Sequence, residues 1–367
     1  MNGRDDKYFA HVAAVLGLLD AAQLRRISEM VERGEAKDAI DAAVTAHLLD
    51  AEAAHAIATL ARALTHRKGD EPSMREIIER APAPREDAVP IQHPARLGDY
   101  EVREVIGRGA TGIIYHGVDS RGRDVALKVL SLQLVGSDDE RRFHQEIETV
   151  RKLNHPNIVT VFDYGRAGDY LYYAMEYLRG RSLRAMLNDR GFIPAFEAAE
   201  YARDASRGLA YAHEHGVVHR DVKPSNLMVT DKGRVKVVDF GLAREGVSMT
   251  LTSTGIAAGT PAYMSPEQIE NADGPIDERT DIYSLGVTLY EMLAGERPFE
   301  GDSHYETMKS ILFEPPLPLE EVKPGLPRSL RDIVARAMAR HRDERFPAMR
   351  DMAAALDRFL NETNSVH

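Results

Sequence analysis

The sequence predicts an α+β architecture of two lobes, a small β-rich lobe followed by a larger helical lobe, preceded by a small all-α domain. Three observations carry that expectation. Residues 7–65 are rich in Ala and Leu at helical spacing, with no strand-like alternation. A proline cluster then breaks the chain, and beyond Gly98 the pattern turns to short strand-like runs and, past Ser182, to helix. A length of 367 residues suits one large two-lobed domain with a small extra one.

The first segment carries a weak internal repeat: L-L-D-A-A-Q at Leu18 to Gln23 returns as L-L-D-A-E-A at Leu48 to Ala53. In each copy the aspartate, Asp20 or Asp50, can accept backbone N–H bonds as a helix N-cap. Two helical hairpins over residues 1–80 are the economical reading, with a regulatory or interaction role. Self-association as a homodimer fits their Ala-rich faces. From 81 to 97, Pro82, Pro84, Pro90 and Pro94 block helix and sheet ladders, which predicts a semi-extended linker. The two-lobed domain is expected over 98–362, with 363–367 as a tail. Within it, Y-E-V-R-E-V-I-G, G-I-I-Y-H-G-V and D-V-A-L-K-V-L read as strands. A helix is expected over Asp138 to Leu153, and further strands over Ile158 to Tyr164 and Tyr170 to Tyr177.

Composition excludes several function classes. Lys+Arg 47 against Asp+Glu 58 gives a net charge of -11, which opposes nucleic acid and anionic membranes as partners. With no cysteine, disulfides, thiolate catalysis and Cys-based zinc sites are impossible. The most apolar N-terminal stretch, Tyr8 to Leu19, is broken by His11 and Gly17. No run approaches the roughly 18 apolar residues of a spanning helix, and a cytoplasmic location is the expectation.

The chemistry-bearing residues fall in four places. Ile106 to Ile114 holds a G-x-G-x-x-G turn between two expected strands, where glycines let backbone amides approach phosphate oxygens. No helix follows, so the dinucleotide-binding reading of that pattern fails its context. Lys128 sits on the next strand, with Glu146 on the following helix as a candidate partner for its ammonium. The decisive segment is H-R-D-V-K-P-S-N, His219 to Asn226, followed by V-V-D-F-G at Val237 to Gly241. Phosphoryl transfer needs a carboxylate at the attacking hydroxyl, positive charge on the transferred group and oxygen ligands for Mg²⁺. Asp221, Lys223, Asn226 and Asp239 supply that set.

These motifs resemble the protein-kinase superfamily, in particular its bacterial, eukaryotic-like (Hanks-type) Ser/Thr members, over roughly Leu97 to Leu360. The resemblance implies a bilobal protein-kinase fold that uses ATP with Mg²⁺, or Mn²⁺ in its place, to phosphorylate protein substrates. Gly107, Gly109 and Gly112 would cover the phosphates, and Lys128 would pair with Glu146. Ile106, Ile114, Ala126 and Met228 would sandwich the purine, with Met175 as gatekeeper and Glu176 to Leu178 as the hinge. Asp221 would accept the substrate's hydroxyl proton and Lys223 would stabilise the transferring group, while Asn226 and Asp239 bind metal. His219 and Phe240 would pack rather than react. Glu267, in S-P-E where the family more often has A-P-E, should pair with Arg345. Asp281 should hold the catalytic-loop backbone, and Thr260 should bridge Asp221 and Lys223. Thr250, Thr252, Ser253 and Thr254 would be phosphorylated, with Arg220 and Arg244 receiving the phosphate. Lys223 two residues after Asp221 is the Ser/Thr-kinase choice. The competing classes are a small-molecule phosphotransferase, which lacks that lysine, and an inactive ATP-binding scaffold, which would need a lesion at Lys128, Asp221, Asn226 or Asp239.

Overall fold

The computed structural model of the chain describes residues 9–10, 21–46, 48, 94–109, 112–131, 137–168, 170–240, 261–270, 276–301 and 304–364. Two units divide the chain, one built around residues 1–93 and one holding 94–250 and 257–367. In the first, α1 (Ala21–Glu32) and α2 (Ala39–Thr45) pack together through Leu24, Ile27, Ala39, Ala42 and Ala43. Small alanines on the facing stripe let the two backbones come close. Asp38 caps α2, its carboxylate accepting the N–H of Asp41 at 2.9 Å. The expected caps Asp20 and Asp50 lie outside the described residues, as do most of the repeat and of the linker.

The second unit opens with β1 (Arg96–Leu97), β2 (Tyr100–Gly109), β3 (Gly112–Val118) and β4 (Asp124–Ser131). After α3 (Ser137–Arg151) come β5 (Val161–Ala167) and β6 (Tyr170–Glu176). They form one antiparallel sheet in the order β1-β2-β3-β4-β6-β5. Alternation sorts the side chains. Ala126, Leu130, Leu171, Tyr173 and Met175 join the core that includes Phe143, Ile147 and Val150 of α3, while Leu97, Tyr115, Leu127, Tyr172 and Ala174 pack together in a second cluster.

The strand expected from Ile158 begins only at Val161. Its first residues are taken by a different partner: Val159 N–H donates to the Val237 carbonyl at 3.0 Å, Val237 N–H to that of Asn157 at 2.9 Å, and the Asn157 amide to that of Val235 at 2.8 Å. A segment that belongs to the small lobe by sequence is thus hydrogen-bonded to the large one.

The large lobe contains β7 (Gly180–Ser182), α4 (Leu183–Arg190), α5 (Ala195–Glu214), β8 (Leu227–Thr230) and β9 (Val235–Val237). It continues with α6 (Pro266–Glu270), α7 (Arg279–Ala294), α8 (His304–Phe313), α9 (Leu319–Val322), α10 (Arg328–Ala337) and α11 (Met349–Asn364). Residues Thr280 to Leu293 of α7 are buried on every side, which makes it the central helix, flanked by α5, α10 and α11. No helix among the described residues is long and apolar enough to cross a membrane.

Candidate active site

In the glycine-rich segment β2 and β3 pair as far as Gly109 opposite Gly112. Gly112 has φ 145, and a Cβ there would meet the Val129 carbonyl oxygen at 2.1 Å, so no other residue fits without moving β4. The register slips between Val105 and Gly107, which makes Ile106 the extra residue of a β-bulge and leaves it 44% exposed. Ile114 is half-buried, and Ala126 lies opposite Met175 across the β4–β6 pair.

The catalytic-loop segment folds around its own polar groups. Lys223 Nζ lies 3.0 Å from Asp221 Oδ2, and the Asn226 amide donates to the Asp221 carbonyl at 2.8 Å and to its Oδ2 at 3.2 Å. His219 is fully buried, with its tautomer set by its neighbours. Nε2–H donates to the Val238 carbonyl at 3.0 Å, and Nδ1 accepts the Asp221 N–H at 3.2 Å. Its ring lies 4.8 Å from that of Phe240.

Arg220 and Asp239 are the non-glycine residues with positive φ among the described residues, at 62 and 56. Each such conformation costs about 1–2 kcal/mol, so surrounding bonds must hold it. For Arg220 the holders are Asp281, which accepts its N–H at 2.8 Å, and Gln268, which donates to its carbonyl at 3.0 Å. Asp281 also accepts the His219 N–H and His213 Nε2–H, each at 2.8 Å. Burial pushes the Asp281 carboxyl up, but the His213 ring and these N–H groups outweigh it and hold the group below its ordinary value.

Asp239 leaves β9 with its carboxylate facing β4 and β6. Lys128 Nζ reaches its Oδ1 at 2.8 Å and the Tyr173 hydroxyl donates to the same oxygen at 2.9 Å. Here too burial is opposed, first by the Lys128 charge and then by hydrogen bonds, and the carboxyl sits below its ordinary value. The expected Lys128–Glu146 pair is not the one formed: the ion pair of Lys128 is with Asp239, while Glu146 is half-buried on α3.

At the end of β6, Glu176 accepts from Lys236 Nζ at 2.8 Å, and that ammonium also donates to the Ile158 carbonyl at 3.1 Å. Met228, half-buried on β8, pairs in register with Lys236, and Leu178, two residues after the end of β6, is half-buried.

The large lobe holds Arg345 with 1% of its surface exposed and every N–H used. Nη1 and Nη2 donate to the Glu267 carboxylate at 2.7 and 2.8 Å, while Nε, Nη1 and Nη2 also reach the carbonyls of Ala339, Arg279 and Arg340. Tyr263 is fixed by Glu291, which accepts its hydroxyl at 2.7 Å and binds Arg184 through both oxygens at 3.0 and 3.1 Å. Arg244, Thr250, Thr252, Ser253, Thr254 and Thr260 lie outside the described residues.

Residues 100–355 match the protein kinase domain family. The chain belongs to that family. It is 39% identical over 265 residues to the serine/threonine-protein kinase PknL of Mycobacterium bovis, covering 72% of this chain and 66% of that protein. It is 38% identical over 273 residues to PknB of Mycobacterium leprae, covering 72% and 44%, and 34% identical over 267 residues to a probable serine/threonine-protein kinase of Clostridium perfringens, covering 72% and 39%. The chain therefore spans less than two thirds of the length of these relatives. The bilobal kinase fold expected from the sequence is the one found.

The donor set of this kinase domain suits a hard divalent cation. Asp239 offers a carboxylate, and because the NH₂ of Asn226 is committed to Asp221, the amide oxygen is its accepting end. No cluster of three or more His, Asp or Glu forms a self-sufficient metal site among the described residues. A cation held here would need further oxygens from outside the protein, from phosphate and water. Tyr173 and Lys236 were not among the residues read from sequence as functional. For Tyr173 the available signal was its alternation with Met175 along one strand.

Proposed function

We propose that this chain is a Ser/Thr protein kinase that transfers the γ-phosphoryl of Mg·ATP to hydroxyls of protein substrates. The observation that carries the reading is the convergence of Asp221, Lys223 and Asn226 within hydrogen-bonding reach, tied to the Asp239–Lys128 pair through the Val238 N–H, which donates to the Asn226 carbonyl at 2.9 Å. In this reading bound Mg²⁺ would supply charge neutralisation at the phosphates. Asn226 and Asp239 would hold it, and Gly107, Gly109 and Gly112 would cover the phosphates with backbone amides. Ile106, Ile114, Ala126 and Met228 enclose the purine, with Met175 behind it and the Glu176 to Leu178 backbone along its edge. Asp221 orients the attacking hydroxyl and accepts its proton, while Lys223 screens the charge that accumulates during transfer. Because the donor is ATP, the domain acts on the cytoplasmic side, where that nucleotide is held.

Activation follows from autophosphorylation of the segment containing Thr250, Thr252, Ser253 and Thr254, with Arg220 and Arg244 as receivers of the phosphate. Residues 1–80 act as a regulatory module through contact with a partner or a second copy.

The test is labelled γ-phosphate transfer to a generic protein substrate, followed by phosphoamino-acid analysis. Label on Ser and Thr that disappears in Asp221→Asn supports the reading. Transfer only to small molecules, or none at all, overturns it. For activation, Thr252→Ala/Thr254→Ala should carry less phosphate and turn over more slowly than the parent; equal activity and equal phosphate would remove that part of the proposal.

A further inference from the structure

Tyr173 reaches the active site by strand register alone. On β6 the side chains of Leu171, Tyr173 and Met175 point into the core shared with α3, whereas those of Tyr172 and Ala174 join the other cluster. Tyr173 is the direct cross-strand partner of Lys128 on β4. Side chains paired in this way lie on the same face within about 5.5 Å, so a phenol and an ammonium are delivered side by side. Both end on Asp239 Oδ1, at 2.9 and 2.8 Å.

The Tyr173 ring is 3% exposed and packs on Phe143 of α3 with centroids 6.3 Å apart. One further fact separates this hydroxyl from ordinary buried filling. It donates to the carboxylate of a residue held at positive φ, a conformation that the surrounding bonds must maintain.

The two donors on Oδ1 differ in what else they can do. Lys128 carries a charge that phosphate oxygens compete for. The Tyr173 hydroxyl is neutral, has Asp239 as its acceptor and is held by a rigid strand. When phosphates draw the ammonium, the phenol is the group left to keep the Asp239 carboxylate aimed.

We infer that Tyr173 is a positioning residue that orients the Asp239 carboxylate for divalent-cation binding, an outer partner of the metal ligand rather than a ligand itself. This rests on the proposed role of Asp239 as a metal ligand. Hydrogen-bonded partners of metal-ligating groups change metal affinity by about 10–100-fold when removed. The ligand class is a hard divalent cation taken up together with a nucleotide.

The experiment uses the full chain and Mn²⁺ as the probe, with free Mn²⁺ read by electron paramagnetic resonance at saturating non-hydrolysable ATP analogue. Tyr173→Phe keeps the ring and removes one oxygen. It should weaken Mn²⁺ binding by about tenfold, leave the affinity for metal-free nucleotide unchanged, and raise the Mg²⁺ concentration that gives half-maximal rate. Saturating Mg²⁺ should then restore much of kcat, which a general loss of packing would not allow. Unchanged Mn²⁺ affinity in Tyr173→Phe overturns the inference. So does an equal loss of metal-free nucleotide affinity, because the hydroxyl would then be shaping the pocket as a whole. Asp239→Asn separates the two levels: if it binds Mn²⁺ as tightly as the parent, the metal role of Asp239 itself fails and this inference falls with it.

Discussion

Two buried aspartates serve the same few residues in different ways. Asp281, at the start of α7, is held by the backbone N–H groups of His219 and Arg220 and by the ring of His213. Asp239, at the exit of β9, is held by the side chains of Lys128 and Tyr173, which come from another lobe. Both carboxyls sit below their ordinary values against the pull of burial. Backbone donors cannot leave without unfolding the loop, whereas in the proposed reaction phosphate would compete for the lysine ammonium. On that proposal one aspartate stays as it is and the other changes partners.

The comparison breaks most visibly if Asp239 turns out to be structural. Asp239→Asn should lower kcat by about 10⁴-fold, near 5 kcal/mol in the barrier, with the urea midpoint close to that of the parent. A large loss of stability with activity retained would reverse the assignment.

Next in size is Arg345→Met, which removes a guanidinium whose five N–H groups are all used and strands the Glu267 carboxylate. Removing one partner of a buried pair should cost about 4 kcal/mol, measured by urea unfolding. This is the permanent kind of interaction in its strongest form.

Asp281→Asn should cost about 2 kcal/mol at pH 7, from weakened bonds to buried donors. The pH dependence has a definite sign. A carboxyl whose folded value is depressed contributes stability above its unfolded value, near 3.9, and loses it as pH falls through the lower folded value. The gap between parent and variant should therefore be full at neutral pH and close in acid, with urea midpoints at several pH values as the readout. A gap that persists unchanged at the lowest pH would show that Asp281 acts without its charge.

The smallest effects belong at the N-terminal edge. Leu97→Ala removes a fully buried side chain from the second cluster of the small lobe and should cost about 2 kcal/mol. A chain beginning at Pro94 keeps β1 and should still turn over a peptide, with kcat/KM or oligomeric state shifted by loss of the regulatory unit, whereas one beginning at Tyr100 should be measurably less stable. Loss of all turnover in the Pro94 chain would mean that the first unit completes the active site.

How much of this could be read in the sequence depends on contact distance along the chain. The grouping of Asp221, Lys223 and Asn226 was legible because the three lie within six residues of one another, and the β2–β3 pair because the glycines sit between two strand-like runs. The two-lobed order was legible from strand alternation giving way to helix. The Tyr173–Asp239 bond spans 66 residues and depends on strand register, which no local pattern announces. The late start of β5 was hidden for the same reason: Ile158 and Val159 are as apolar as the strand that follows, and only the position of β9 decides where they pair. The exchange of Glu146 for Asp239 at Lys128 was also invisible, since either carboxylate satisfies the sequence pattern.

The pairing of Asn157 to Val159 with β9 bears on how the molecule could be taken apart. The linker between the lobes, around Tyr177 to Arg179, is the natural place to cut. A cut there would not leave two finished pieces. The upstream fragment would carry an unmatched edge made of the Asn157 side chain and the Val159 N–H, and the downstream fragment would carry the complementary carbonyls of Val235 and Val237. Lys236 on one piece would still face Glu176 on the other. The halves are keyed to each other by hydrogen bonds that neither can satisfy alone, which makes this linker a favourable split point for a kinase reassembled from two chains.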